Sequence, residues 1–112
     1  MSSDTLVAAS AKPVILSLLL SGESYGYQIL QRVRRVSGGK MAWSSAMLYP
    51  VLRRMEKDGL IRSDWRVSDE NRMRKYYRLT DRGRKELEVE KARWLDIQKA
   101  LRKLWDTAAA VD

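Results

Sequence analysis

The spacing of apolar positions changes several times along the chain, and each change marks an element. Val14 to Leu20 is a short, nearly continuous apolar run, and it follows Pro13, whose missing N–H suits the first turn of a helix. This pattern predicts a buried first helix starting near Pro13, with Ile15, Leu16, Leu19 and Leu20 inward, after a small, polar stretch at residues 1–11 that reads as a flexible tail. Ser21-Gly22-Glu23 breaks that helix and Ser24 is placed to cap the next. The second helix carries Tyr25, Ile29, Val33 and Val36 on one face and Gln28, Arg32 and Arg35 on the other, until Ser37-Gly38-Gly39 stops it. Leu48, Val51, Leu52 and Met55 then recur at helical spacing, with Tyr49, Arg53, Arg54 and Lys57 directed elsewhere, and Gly59 ends the run.

Beyond Gly59 the period drops to two. Leu60 to Val67 and Lys75 to Leu79 alternate as half-buried strands do, joined by the turn-forming cluster Ser68-Asp69-Glu70-Asn71. On the second strand Tyr77 and Leu79 should face the core with Trp65 packed beside them, leaving Tyr76 and Arg78 outside. Thr80 is placed to cap a last helix running from Asp81 to about Thr107. Along it Leu87, Trp94, Leu101 and Ala108 recur every seven residues, and Ile97, Leu104 and Val111 form a second such row. Glu90 stands where the second row would begin, so the apolar seam is the stretch from Trp94 to Trp105. A helix trailing off a small body has no surface of its own to bury that seam together with Leu95 and Trp105, which implies a partner, most simply a second copy. The expected fold is mainly α with a small β-hairpin: a winged helix-turn-helix domain over residues 12–80, then one long C-terminal dimerisation helix over 81–112.

Charge sharpens this picture. The chain of 112 residues has a net charge of +8. The excess is local: residues 31–85 hold 16 Lys/Arg against 6 Asp/Glu, whereas the segments on either side are each slightly acidic. A basic patch confined to a helix and hairpin is the footprint expected of phosphate binding. With no Cys and no His, disulfides, thiolate or imidazole metal sites and the common nucleophile–base pairs of hydrolases are excluded. Ser44, Ser45 and Lys40 lie close in sequence but without oxyanion or substrate features, so no enzyme, cofactor or metal is expected. Val14 to Leu20 is too short to span a bilayer, and the flanking residues do not form a signal peptide. A cytoplasmic protein is the expectation.

The strings SYGYQIL, SSAMLYPVLRRMEKDGLI and RKYYRLTDRG, in that order between Pro13 and Arg84, resemble the PadR family of bacterial transcriptional regulators. Two departures from the family pattern stand where DNA would be touched: Ala46-Met47 replaces Gly-Thr, and Asn71-Arg72-Met73 replaces a Gly/Pro-rich wing. The resemblance settles a local conflict. If Ser44 caps the third helix, Pro50 lies past its first turn and clashes with the carbonyl of Ala46; the resemblance implies a helix from about Ser45 to Asp58 that tolerates it.

The expected function is a sequence-specific regulator of double-stranded DNA. Ser45, Met47, Tyr49, Arg53 and Arg54 would supply groove and phosphate contacts, with Arg72, Arg74 and Lys75 at the wing. Trp94, Ile97, Leu101, Leu104 and Trp105 would form the homodimer seam. The resemblance further implies a repressor relieved by a small effector, and Trp94, splaying two seam helices apart, is the candidate residue for stacking an aromatic molecule. The alternative is a protein-interaction module whose long helix docks a heterologous partner.

Overall fold

The computed structural model describes residues 3–110. In chain order it contains α1 (Ser3–Leu20), β1 (Ser24–Tyr25), α2 (Gly26–Val36), α3 (Ser45–Lys57), β2 (Ile61–Val67), β3 (Met73–Leu79) and α4 (Asp81–Ala110). Three helices cover one face of an antiparallel sheet with strand order β1-β3-β2, and α4 leaves this body as a long rod.

The core is where the apolar spacings meet. Ile15, Leu16 and Leu19 of α1, Ile29 and Val33 of α2, Leu48, Leu52 and Met55 of α3, Ile61 and Tyr77 of the sheet and Leu87 of α4 are all buried in one cluster. Side chains of Leu or Ile size each contribute about 1.5–3 kcal/mol on full burial, so this cluster outweighs any single polar contact.

Several sequence expectations are corrected. The first helix starts at Ser3 rather than near Pro13, so most of the expected tail is helical, while Met1 and Ser2 lie outside the described residues. Pro13 is tolerated inside it because tertiary contacts hold both sides: before it Ala11 is buried and Lys12 reaches Glu90 at 3.1 Å and Glu86 at 3.7 Å on α4, and after it Ile15 and Leu16 are buried. Leu18 is buried and Leu20 is exposed, opposite to what the apolar run suggested for Leu20. Ser24 does not cap α2. It is a strand residue, paired across from Tyr77 in a third strand too short to announce itself by alternation, and its hydroxyl accepts from Arg32 at 2.7 Å. Val36 is exposed, and so is Trp65.

The boundaries of α3 follow local chemistry. Ser44 Oγ accepts from the N–H of Met47 at 3.2 Å, satisfying one of the free donors of the first turn. Pro50 sits inside a continuous helix. Ala46, whose carbonyl it leaves without a donor, is exposed, so no buried acceptor is orphaned. At the other end Gly59 adopts φ 79°, and Leu60 N–H returns to the carbonyl of Met55 at 3.0 Å. This left-handed closure is the reason a glycine stands there. Thr80 caps α4 as expected, accepting from Gly83 N–H at 3.0 Å while its hydroxyl donates to the Gly59 carbonyl at 2.6 Å. One threonine thus ties the start of the rod to the end of α3.

Candidate nucleic-acid interface

The hairpin of β2 and β3 projects beside α3 as a wing, and its register decides what each residue can do. Ile61, Ser63, Trp65 and Val67 stand opposite Leu79, Tyr77, Lys75 and Met73, and these eight share the face turned toward the helices. Near the body that face is buried, with Ile61 and Tyr77 in the core. Farther out the helices no longer cover it. There Trp65, Val67 and Met73 are 62%, 61% and 60% exposed.

The other face holds a separate cluster. Tyr25 meets Tyr76 edge-on at 5.4 Å. Arg74 lies over the Tyr25 ring at 4.5 Å and Arg66 over the Tyr76 ring at 4.3 Å. Arg66 also donates to Glu23 at 2.6 Å and to Asp64 at 3.1 Å. The hydrogen bond to Glu23 holds its guanidinium firmly charged, above its ordinary value, with the coulombic pull of Glu23 and Asp64 adding to it. This face fixes β1 to β3 and leaves Arg66 little freedom.

The wing tip is a three-residue loop between Ser68 and Arg72. Asn71 N–H bonds the Ser68 carbonyl at 2.9 Å, Asn71 takes φ 60°, and Ser68 N–H returns to the Arg72 carbonyl at 2.7 Å. Asparagine tolerates this left-handed position better than most residues, which explains how the tip turns without the glycine that the resemblance led one to look for. The loop exposes Arg72 together with Asp69 and Glu70.

Of the residues singled out from the sequence, Ser45, Tyr49, Arg53 and Arg54 are exposed along α3, Ser45 in its first turn. Met47 is not among them, since its side chain packs partly against the core. Arg54 pairs with Asp58 at 3.3 Å, one helical turn on. Such an exposed pair is worth well under about 1 kcal/mol and gives way readily to another anion. Arg72, Arg74 and Lys75 are not brought together: Arg72 is at the tip, Arg74 is laid on Tyr25, and Lys75 is on the helix-facing side at 5.9 Å from the Tyr77 ring.

Tyr49 crosses from α3 to the start of α2. A methyl group at Gly26 would collide with its hydroxyl and come within 2.8 Å of its Cζ, so only glycine leaves room for this placement. Below it lies buried Tyr77. Burial pushes its phenol above the ordinary value, and the nearby Glu56 carboxylate adds to that, partly offset by Arg53.

Residues 15–89 match the Transcriptional regulator PadR-like family. The chain belongs to this family. It is 30% identical over 88 residues to an uncharacterized protein of Lysinibacillus sphaericus, covering 79% of this chain and 81% of that one. Among solved structures, a transcriptional regulator from Clostridium thermocellum superposes with a TM-score of 0.79 at 31% identity, covering 88% of this chain and 96% of the other. A PadR family transcription regulator from Clostridium difficile gives a TM-score of 0.76 at 32% identity, covering 86% and 98%. A PadR-like transcriptional regulator from Bacillus cereus gives 0.80 at 28%, covering 90% and 96%. The PadR-like chain is therefore a transcriptional regulator with a winged-helix fold, not an enzyme. Among the described residues no helix is long and apolar enough to cross a membrane.

On α4 the seam residues of this PadR-like chain lie on the free part of the rod. Every described residue from Lys91 onward is exposed, including Trp94, Ile97, Leu101, Leu104 and Trp105. From Lys91 to Ala110 the rod extends about 30 Å past the body at the usual rise per residue. Val111, the last member of the second row, lies outside the described residues. Glu90, which interrupts the seam, is instead buried at the root of the rod and paired with Lys12. At that root α1, α2 and α4 border an open apolar pocket of about 520 Å³, lined by Val14, Leu18, Val36, Met41, Leu87 and Trp94.

Proposed function

We propose that this PadR-like chain acts as a homodimer on double-stranded DNA, in sequence-specific fashion, as a repressor relieved by a small effector. The observation that carries the reading is the adjacency of an exposed, basic α3 to a wing. Tyr49, Arg53 and Arg54 stand on the open side of the helix and Lys75 and Arg72 on the hairpin next to it. A helix of this length fits a major groove and the wing falls against the neighbouring backbone. Base-edge contacts come from Ser45 and Tyr49 near the start of α3; phosphate contacts from Arg53, Arg54, Arg72 and Lys75 set register.

Residues 81–112 supply dimerisation through the seam from Trp94 to Trp105, which accounts for apolar side chains standing open along a soluble rod. The pocket at its root favours an effector over none: its volume is that of a site for a small molecule, and Trp94 offers a flat face in its lining. Binding there would release DNA only as far as the ligand prefers the arrangement of recognition helices that does not fit the operator.

Selection of duplexes from a randomised pool by the purified chain tests the reading. It should yield one motif of two half-sites about 10 base pairs apart, or a multiple. A pool that stays random after repeated rounds leaves the heterologous-partner role of α4 in its place. For the effector, planar aromatic compounds should quench tryptophan fluorescence in the native dimer and fail to do so in Trp94→Leu. Quenching unchanged by that substitution, or absent from a broad panel, removes the effector from this position.

A further inference from the structure

The exposed apolar strip of the wing is left unused by the contacts assigned so far. Trp65 is the largest exposed side chain on the hairpin, and it lies on the face directed at α3 rather than at the tip. With Tyr49, Arg53, Met73 and Lys75 it borders a cleft of about 470 Å³ between the helix and the wing. Arg53 and Lys75 present their charges to this cleft and no carboxylate lines it, while Arg74, also at its border, has its guanidinium laid on Tyr25. Its chemistry is therefore a flat apolar wall facing a set of cations, which suits an occupant with alternating apolar and anionic groups.

A polynucleotide backbone has that alternation, with a deoxyribose face following each phosphate. We propose that the cleft seats one sugar–phosphate strand of duplex DNA, with the Trp65 indole packed on deoxyribose and Lys75 and Arg53 on the phosphates to either side. This rests on the DNA-binding reading above and adds an occupant and a residue to it. Geometry favours a strand over a base. With α3 in one groove and the wing tip at the next, the strand separating the two grooves passes between helix and hairpin. Insertion of the strip between base pairs would require the apolar residues at the tip. There the chain instead places Asp69, Glu70, Asn71 and Arg72.

Trp65 then contributes affinity without sequence preference and without counterion release, which separates it from every cation nearby. The full-length chain is compared with Trp65→Ala, Trp65→Phe and Lys75→Ala on a selected duplex and on a random duplex over a range of salt. Trp65→Ala should weaken both duplexes by about tenfold, as loss of a half-buried aromatic contact implies, with the salt slope unchanged. Trp65→Phe should recover most of that loss. Lys75→Ala, which removes one phosphate contact from each protomer, should flatten the slope by about two units. In hydroxyl-radical footprints at saturating protein, deoxyriboses on the strand between the grooves should be shielded by the native chain and regain reactivity with Trp65→Ala. Because Trp65 is exposed, its removal should leave the thermal midpoint in place, and that measurement accompanies each binding curve. If native protein binds duplex DNA but Trp65→Ala binds both duplexes equally well with the same footprint, the cleft holds no strand. Selective loss on the preferred duplex would mean a base contact, and a change in sedimentation a protein contact; either overturns the proposal. Failure of native protein to bind any duplex removes the parent reading and this one with it.

Discussion

Replacing Leu101 by aspartate puts a charge at the centre of the seam on α4. In the single chain Leu101 lies outside the core cluster and is 39% exposed, so the winged-helix body should fold as before. A dimer joined along this rod buries Leu101 twice, once from each copy. Only the 39% of each Leu101 still open in the single chain is newly covered, so of the about 1.5–3 kcal/mol for a whole leucine about 0.6–1.2 kcal/mol is lost per copy, or about 1–2 kcal/mol for the pair before any penalty for the carboxylates. At about 1.4 kcal/mol per decade, the dimer dissociation constant should rise by about one to two orders of magnitude from lost burial alone, and further from the buried carboxylates. Sedimentation equilibrium across the micromolar range is the assay. Native chain should sediment as a dimer and Leu101→Asp as a monomer with an unaltered circular dichroism spectrum. Duplex affinity should fall with it, because the two half-sites are no longer linked. A variant that remains dimeric at micromolar concentration would show that the rod packs elsewhere, and the assignment of the seam would fail.

Three smaller perturbations probe the body. Gly83→Ala drives a methyl group onto the Leu60 carbonyl and to within 3.0 Å of Leu79 Cδ1; it should cost about 1–3 kcal/mol in urea unfolding, and an unchanged midpoint would contradict this packing. Gly26→Ala meets the mobile end of a side chain instead, so it should displace Tyr49, reducing preference for the selected duplex over a random one while barely moving the thermal midpoint. Tyr77 holds its proton more tightly folded than unfolded. Its contribution is therefore complete below the ordinary tyrosine value of about 10 and fades as pH rises through the raised value. Urea midpoints measured from pH 8 to 11 should fall less in Tyr77→Phe than in the native chain, and parallel curves would refute the assignment.

Much of this fold is legible because its signals are local. The spacing of Leu48, Leu52 and Met55, the cap at Ser44, the closure at Gly59 and the cap at Thr80 each depend on residues within one turn, and the structure has all of them. What sequence misplaced depends on distant partners. Pro13 signals a helix start, yet α1 runs through it because Ala11 and Lys12 are held against the rest of the body. Strand β1 is two residues long, too short for any period, and exists only because Tyr76 and Tyr77 lie alongside. Alternation placed Trp65 on the same face as Tyr77 correctly, but a face is not a cover. The helices end before Trp65, and only the three-dimensional outline reveals that it borders an open cleft. The same holds for Val36, whose stripe continues past the point where a neighbour meets it. Among the residues suggested for DNA contact, adjacency in sequence hid a strand's two faces, so Arg74 and Lys75 part company although they are neighbours.

The claim that α3 and the wing grip duplex DNA is tested most directly by the salt dependence of binding. Fluorescence anisotropy of a labelled duplex, taken from the selected pool, is followed with dimeric protein between about 50 and 200 mM salt, a range over which phosphate-dominated binding changes by orders of magnitude. If Arg53, Arg54, Arg72 and Lys75 each meet a phosphate in both protomers, the plot of log affinity against log salt should have a slope of about −7. Substituting Arg53 and Lys75 together by alanine should bring it to about −3 to −4. A slope near zero in the native protein, or no binding at the lowest salt, would contradict the account.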